Sequence, residues 1–275
     1  MIRVDSFDNL INDICDFLSV NSRDLYFSIT DFYQQSVVEG FFDFSLFYGL
    51  SSSYIDQHNN EPIDRIFFCH LTRNTDRPDI LYPLQKLLTA SNSFSHFLAR
   101  KNFTFELDGK RILVYYNDIL VDENYLGRQD DDNDYHGHLA YRLGYLDDID
   151  FCVNGYLFGF NLQNAASDYY FSLQDGGELL SDFDKCFGLN LCEEFCKEST
   201  YYVAYSVVNN DEIIYDSNED LSMYNRTKLY LTRCFLYIYS SVIKHFSIDC
   251  NPIIRLNDYQ SIPVEHYQEN GLDLE

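Results

Sequence analysis

The sequence predicts an α+β protein with a mostly antiparallel or split β-sheet and flanking helices. Strand-like segments are scattered among helical ones, without a regular β-α-β-α beat. The 24 Tyr and 23 Phe, with no Trp, supply ample apolar surface for a core despite the acidity. No Pro/Gly/Ser-rich linker divides the 275 residues. Residues 61–275 therefore read as one domain, with residues 1–60 a helical and aromatic extension packed on it.

The elements follow in order. Phe7, Leu10, Ile11, Ile14, Phe17 and Leu18 fall at helical spacing behind Asp5-Ser6, which can cap a first helix. Residues 25–50 are rich in Phe and Tyr but poorly periodic, and read as irregular. After the polar break Gln57-His58-Asn59-Asn60-Glu61-Pro62, residues 65–73 alternate: Phe67, Cys69 and Leu71 face one side, and Phe68, His70 and Thr72 the other. Residues 79–90 read as one helix with Ile80, Leu81, Leu84, Leu87 and Leu88 inward, and residues 94–101 as a second, shorter one. Residues 103–107 and 111–116 make a hairpin about Asp108-Gly109, and 119–121 add a short strand. A helix near 139–146 leads to a strand over 150–160, loosened by glycine. Helices over 179–187 and 191–197, strands over 201–208 and 212–215, a long buried helix over 221–245 and a late strand over 253–256 complete the chain.

The formal net charge of −25 opposes non-specific attraction to nucleic acid and anionic membranes, and favours a basic partner. The acidic runs at 130–134 and 147–150 read as solvated loops. Arg100-Lys101 and Lys110-Arg111 bracket a short strand and can form a local positive patch. Eight cysteines lack the dense spacing of a disulfide-stapled domain. Several sit in apolar runs, as in Phe68-Cys69-His70, and read as small core residues, which fits a reducing cytoplasm. The N-terminus lacks a signal-peptide layout, and no segment reaches the ~20 apolar residues of a membrane span.

There is no phosphate loop, GxGxxG, GxSxG elbow or HExxH. Cys186, Cys192 and Cys196, with His136 and His138 upstream, invite a zinc reading, but they form no CxxC pair, and helical placement explains Cys192 and Cys196 as packing. No feature selects one cysteine as a nucleophile. What suggests chemistry is the strand ending in His70-x-Thr72-Arg73, a corner suited to a ribose hydroxyl and a phosphate. The alternative is a core histidine satisfied by a backbone carbonyl beside a strand-end threonine.

His70-x-Thr72-Arg73, then an aromatic strand carrying Tyr156, then acidic candidates at Glu178 and Glu212, resembles in order the ADP-ribosyltransferase superfamily. The resemblance covers residues 65–265 in overall order, with His-x-Thr-Arg its local motif. It implies NAD as ligand, with His70 and Thr72 on the nicotinamide-side ribose and amide, Arg73 facing the diphosphate, Tyr156 packed on the nicotinamide, and no metal. A glutamate would stabilise the developing oxocarbenium-like cation. Glu212 is favoured because it opens a strand-like segment, whereas Glu178 looks like a helix start, where a carboxylate is also favoured for structural reasons. The expected activity is mono-ADP-ribosylation of a protein or nucleic acid by a bacterial toxin or defence protein, with a possible cognate antitoxin. The other expectation is an acidic interaction or inhibitor protein, such as a nucleic-acid mimic, that binds a basic partner and needs no active site.

Overall fold

In a computed structural model of the protein the described residues are 1–122, 125, 135–146, 150–165, 167–214, 221–243 and 251–269. The acidic runs at 130–134 and 147–149, Tyr215, and the end of the helix expected to reach 245 lie outside them.

Helix α1 (Phe7–Leu18) starts where the Ser6 hydroxyl accepts from the Asn9 amide, and buries Leu10, Ile11, Ile14 and Leu18. Residues 25–50 are not irregular. They fold into helix α2 (Ser22–Gln35), a hairpin of β1 (Val37–Val38) and β2 (Phe41–Phe42), and the start of helix α3 (Phe44–His58). Asn21 and Asp43 cap the two helices, and α2 buries only Leu25 and Ile29, a stripe too narrow to register as periodic.

Strand β3 (Arg65–Asn74) forms as its alternation predicts. The single helix expected over 79–90 is instead β4 (Ile80–Leu81) followed by α4 (Leu84–Thr89). Pro83 is the cause: its ring disfavours helical backbone at Tyr82, so the chain stays extended to the N-cap. Helix α5 (Ser93–Arg100) opens with an Asn92/Ser95 capping box. Strands β5 (Phe103–Asp108) and β6 (Arg111–Tyr116) pair antiparallel with Asp108 opposite Arg111. The loop is therefore Gly109-Lys110, one residue later than expected, with Gly109 at φ 61° supplying the positive φ of its first position. β7 (Ile119–Leu120) adds to β6, and α6 (Tyr135–Arg142) follows.

The strand expected over 150–160 is only three residues, β8 (Asn154–Tyr156). Four helices come next: α7 (Leu162–Ala165), α8 (Ser167–Gln174), α9 (Glu178–Phe187) and α10 (Leu191–Glu198). Strand β9 (Thr200–Asn209) leads into a correction. Residues 210–212 form a 3-10 turn instead of opening a strand, and Ile214 makes an isolated bridge to Arg255. The Glu212 carboxylate turns back to accept from the Asn209 amide at 3.4 Å, a local bond that competes with a ladder. Helix α11 (Met223–Ile243), β10 (Ile253–Arg255), β11 (Ile262–Pro263) and β12 (His266–Glu269) follow.

The chain forms two compact units. The first is Met1–Cys69, Gly155–Ser167 and Tyr205–Arg255, so residues 1–60 fall wholly within it. Helix α11 buries Tyr230, Phe235 and Tyr237 against a core that includes Leu10, Phe47 and Ile55. Helices α1, α2 and α3 all pack on α11. Within this unit β3 lies between β8 and β9. A Cβ on Gly155 would stand 2.5 Å from the Cys69 carbonyl oxygen, so only glycine lets β8 approach β3 this closely.

The second unit is His70–Asn154, Asp168–Ala204 and Leu256–Glu275. Its core joins Phe97, Phe103, Leu139, Phe151, Phe183 and Phe195. β11 pairs with β4, and β12 is the neighbour of β9. Asp184 of α9 accepts from the Leu191 and Cys192 amides at 2.5 and 3.0 Å, capping α10 where its own N-cap residue, Asn190, makes no side-chain bond. Antiparallel sheets flanked by helices make the fold α+β. No described helix is long and apolar enough to cross a membrane.

Candidate functional site

The end of β3 builds one wall of a cavity of about 220 Å³ in the second unit. His70, Thr72 and Asn74 alternate along the strand and all line it. Glu178 stands on another wall, at the first residue of α9, beside Gly176 and Gly177. Leu84, Leu87 and the edge-to-face pair Phe94 and Phe195, with ring centroids 5.4 Å apart, supply the apolar surface. A smaller cavity of about 50 Å³ shares His70, Thr72, Asn74 and Leu87 with the first.

His70 is half-buried, with Nδ1 2.5 Å from the Asn154 carbonyl oxygen. A carbonyl only accepts, so Nδ1 carries the proton and Nε2 is left as an acceptor. Burial lowers the pKa of His70 against the opposing pull of that carbonyl, so the neutral imidazole is favoured. A backbone carbonyl satisfies one nitrogen, as in a core histidine, and the residue also lines a cavity. The Thr72 hydroxyl accepts from the Asn74 side-chain Nδ2 at 2.8 Å and keeps its own proton to donate.

Arg73 lines the same cavity, but its guanidinium is engaged. Nε donates to the Ser199 hydroxyl at 2.9 Å, and one Nη donates to the Cys196 and Ser199 carbonyls at 3.1 and 3.3 Å. These bonds serve the C-terminal end of α10. Arg142 also borders the cavity while its Nη1 pairs with Asp150 at 2.8 Å.

The rim opposite β3 depends on two glycines. Gly176 at φ 109° and Gly177 at φ 93° lie in the region L side chains rarely adopt. A Cβ on Gly176 would also come within 2.8 Å of the Cys192 Cα. The turn therefore packs directly on α10 and delivers Glu178 at a helix start whose N-cap residue, Gly177, offers no side-chain bond.

His70, Thr72, Arg73 and Glu178 are thus brought together. Glu212 and Tyr156 are not among the residues lining either cavity. Both belong to the first unit, where Glu212 caps its own turn and Tyr156 is buried opposite Cys69.

The cysteine and histidine candidates are divided among different partners. His138 Nδ1 lies 2.5 Å from the Asp182 carboxylate, whose hydrogen bond raises the histidine's pKa. His136 Nδ1 lies 3.4 Å from Cys186 Sγ, but burial pushes the Cys186 thiol up to about 12, which opposes a nucleophilic thiolate. Cys192 and Cys196 contact the Gly177 and Gln174 carbonyls.

Sequence reasoning missed Phe94, Phe195, Arg142 and the Gly176-Gly177 turn. Phe94 and Phe195 look like core, and they are core on one side. The double glycine before an acidic helix start was the legible signal.

No family model, curated protein or solved structure gives a significant match to the chain. Fold and site define an α+β protein with a largely apolar cleft into which an imidazole, a hydroxyl and a carboxyl group are set.

Proposed function

We propose that the second unit binds NAD in this cleft and transfers ADP-ribose to a protein or nucleic-acid acceptor. The observation that carries the reading is the convergence of His70, Thr72 and Glu178 on one cavity. The donor set suits such a ligand. The His70 Nε2 accepts from a ribose hydroxyl, the Thr72 hydroxyl donates to an amide or ribose oxygen, and the aromatic wall of Phe94 and Phe195 takes a planar ring. The uncapped amides at the start of α9 favour an anionic group. Bound NAD would supply a glycosidic bond whose electron pair leaves with neutral nicotinamide, the acceptor's nucleophile bonding to the same ribose carbon and releasing its proton.

Glu178, not Glu212, is the carboxylate in position to stabilise the positive charge that develops on the ribose. That stabilisation grows as the bond breaks, so neutralising Glu178 lowers turnover more than it weakens binding. The test is thermal unfolding with and without NAD, together with transfer of labelled ADP-ribose. NAD at ~100 times its dissociation constant stabilises by ~2.7 kcal/mol. Glu178→Gln should keep that stabilisation and lose transfer. If Glu178→Gln transfers as the parent does, Glu178 is not the catalytic group.

The charge of −25 favours a second reading, an acidic surface that engages a basic partner without chemistry. A protein that neither binds nor consumes NAD would give that reading first place.

A further inference from the structure

We infer that Asp150, Cys152, Asn154 and Asp258 form a divalent-cation site suited to zinc. It is distinct from the cysteines and histidines that the sequence spacing suggested. Asp150, Cys152 and Asn154 lie on the segment that bends at Cys152 and enters β8, and the thiol meets both neighbouring side chains. Asp258 arrives from the segment after β10 and is fastened there, its Oδ1 accepting from the Phe151 amide at 2.9 Å.

The donor atoms of Asp150, Cys152 and Asp258 all lie within 4.8 Å of one another. Cys152 Sγ is 3.4 Å from Asp150 Oδ1 and 2.9 Å from Asn154 Oδ1. A tetrahedral zinc, with bonds of about 2.3 Å to sulfur and about 2.0–2.2 Å to oxygen, sets sulfur–oxygen edges of roughly 3.5 Å. The Cys152–Asp150 edge is already at that length, and side-chain rotation at Asn154 opens the other. Binding of a cation displaces the Cys152 S–H proton, so that the thiolate and the carboxylate oxygens face one positive charge.

This is not a solvated acidic face. Cys152 is 7% exposed and the Asp150 side chain 16%. The Arg142 guanidinium holds Asp150 through Oδ2 and leaves Oδ1 turned to the thiol, the kind of outer contact that orients a ligand. Asn154 links the cluster to the cleft, because its backbone carbonyl is the partner of His70. The mixture of thiolate with carboxylate and amide oxygens selects zinc over magnesium or calcium.

The test is titration of the reduced, full-length protein with cobalt(II), followed by displacement with zinc. One equivalent should bind with a near-ultraviolet thiolate-to-cobalt absorption band. Cys152→Ser should lose the band, and Asp258→Asn, which keeps the thiol and the bond to the Phe151 amide, should bind at least ~10-fold more weakly. The double variant Cys192→Ser/Cys196→Ser should bind as the parent does. Absence of the band in the parent, its survival in Cys152→Ser, or its loss in the Cys192/Cys196 variant overturns the site. If Cys152→Ser does not fold, Asp258→Asn decides, and parent-like affinity in that variant is likewise fatal to the proposal.

Discussion

At the scale of single residues, the His-x-Thr-Arg corner separates into two jobs. His70 and Thr72 present polar atoms at the cavity, whereas Arg73 spends its guanidinium on α10 and Ser199. Thr72→Val keeps the shape and deletes the hydroxyl, so it should weaken NAD binding by ~1 kcal/mol, about fivefold, and cost only ~1 kcal/mol in urea through the Asn74 side-chain bond it removes. Arg73→Met should do the opposite first, costing ~2 kcal/mol of stability in urea without NAD, because it strips hydrogen bonds from a helix terminus. Equal effects of both variants on stability would mean that Thr72 is structural too. The alternation of residues 65–74 made the placement of His70 and Thr72 legible. The occupation of Arg73 was not legible, since its partners lie more than a hundred residues later and no local pattern announces them.

At the scale of elements, broadly periodic segments were readable, whereas those with a narrow buried stripe or an interruption were not. β3, the β5–β6 hairpin and α11 carry long alternations or apolar runs, and they stand close to where the pattern puts them. α2 was hidden by its narrow buried stripe, α4 by the proline that divides it from β4, and the turn at Glu212 by the local bond its carboxylate makes to the Asn209 amide. One contact between elements makes a pH prediction. His138 of α6 bonds Asp182 of α9, and that bond raises the folded-state pKa of His138 above its unfolded value. The stabilisation is therefore complete below the unfolded pKa and is lost as pH rises through the raised one. His138→Asn should cost ~0.5–1 kcal/mol at pH 6, discounted for the exposure of the imidazole, and the difference from the parent should shrink at pH 9. A difference that grows with pH would refute the assignment.

At the scale of the whole molecule, charge dominates. With 44 acidic residues against 19 Lys and Arg, the folded chain repels itself. Raising NaCl from 10 to 150 mM shortens the screening length from about 30 to about 8 Å and should stabilise the fold by ~1 kcal/mol, seen as a Tm rise of ~2–4 °C. A flat or falling Tm would show that opposite-sign pairs, such as Arg3 with Asp13 and Lys228 with Asp56, outweigh the repulsion.

The alternation along β3 also acts as a ruler. Successive residues on one face of a strand repeat every ~6.6 Å, so His70, Thr72 and Asn74 are graduations at fixed intervals along the cleft. Neighbouring hydroxyls of one ribose stand much closer together than that interval. A ligand read by two graduations at once must carry polar groups on two separate rings or substituents. NAD does so through its ribose and its carboxamide, whereas ADP-ribose, cut at the glycosidic bond, keeps only one of the pair and should stabilise the protein less than NAD at equal concentration.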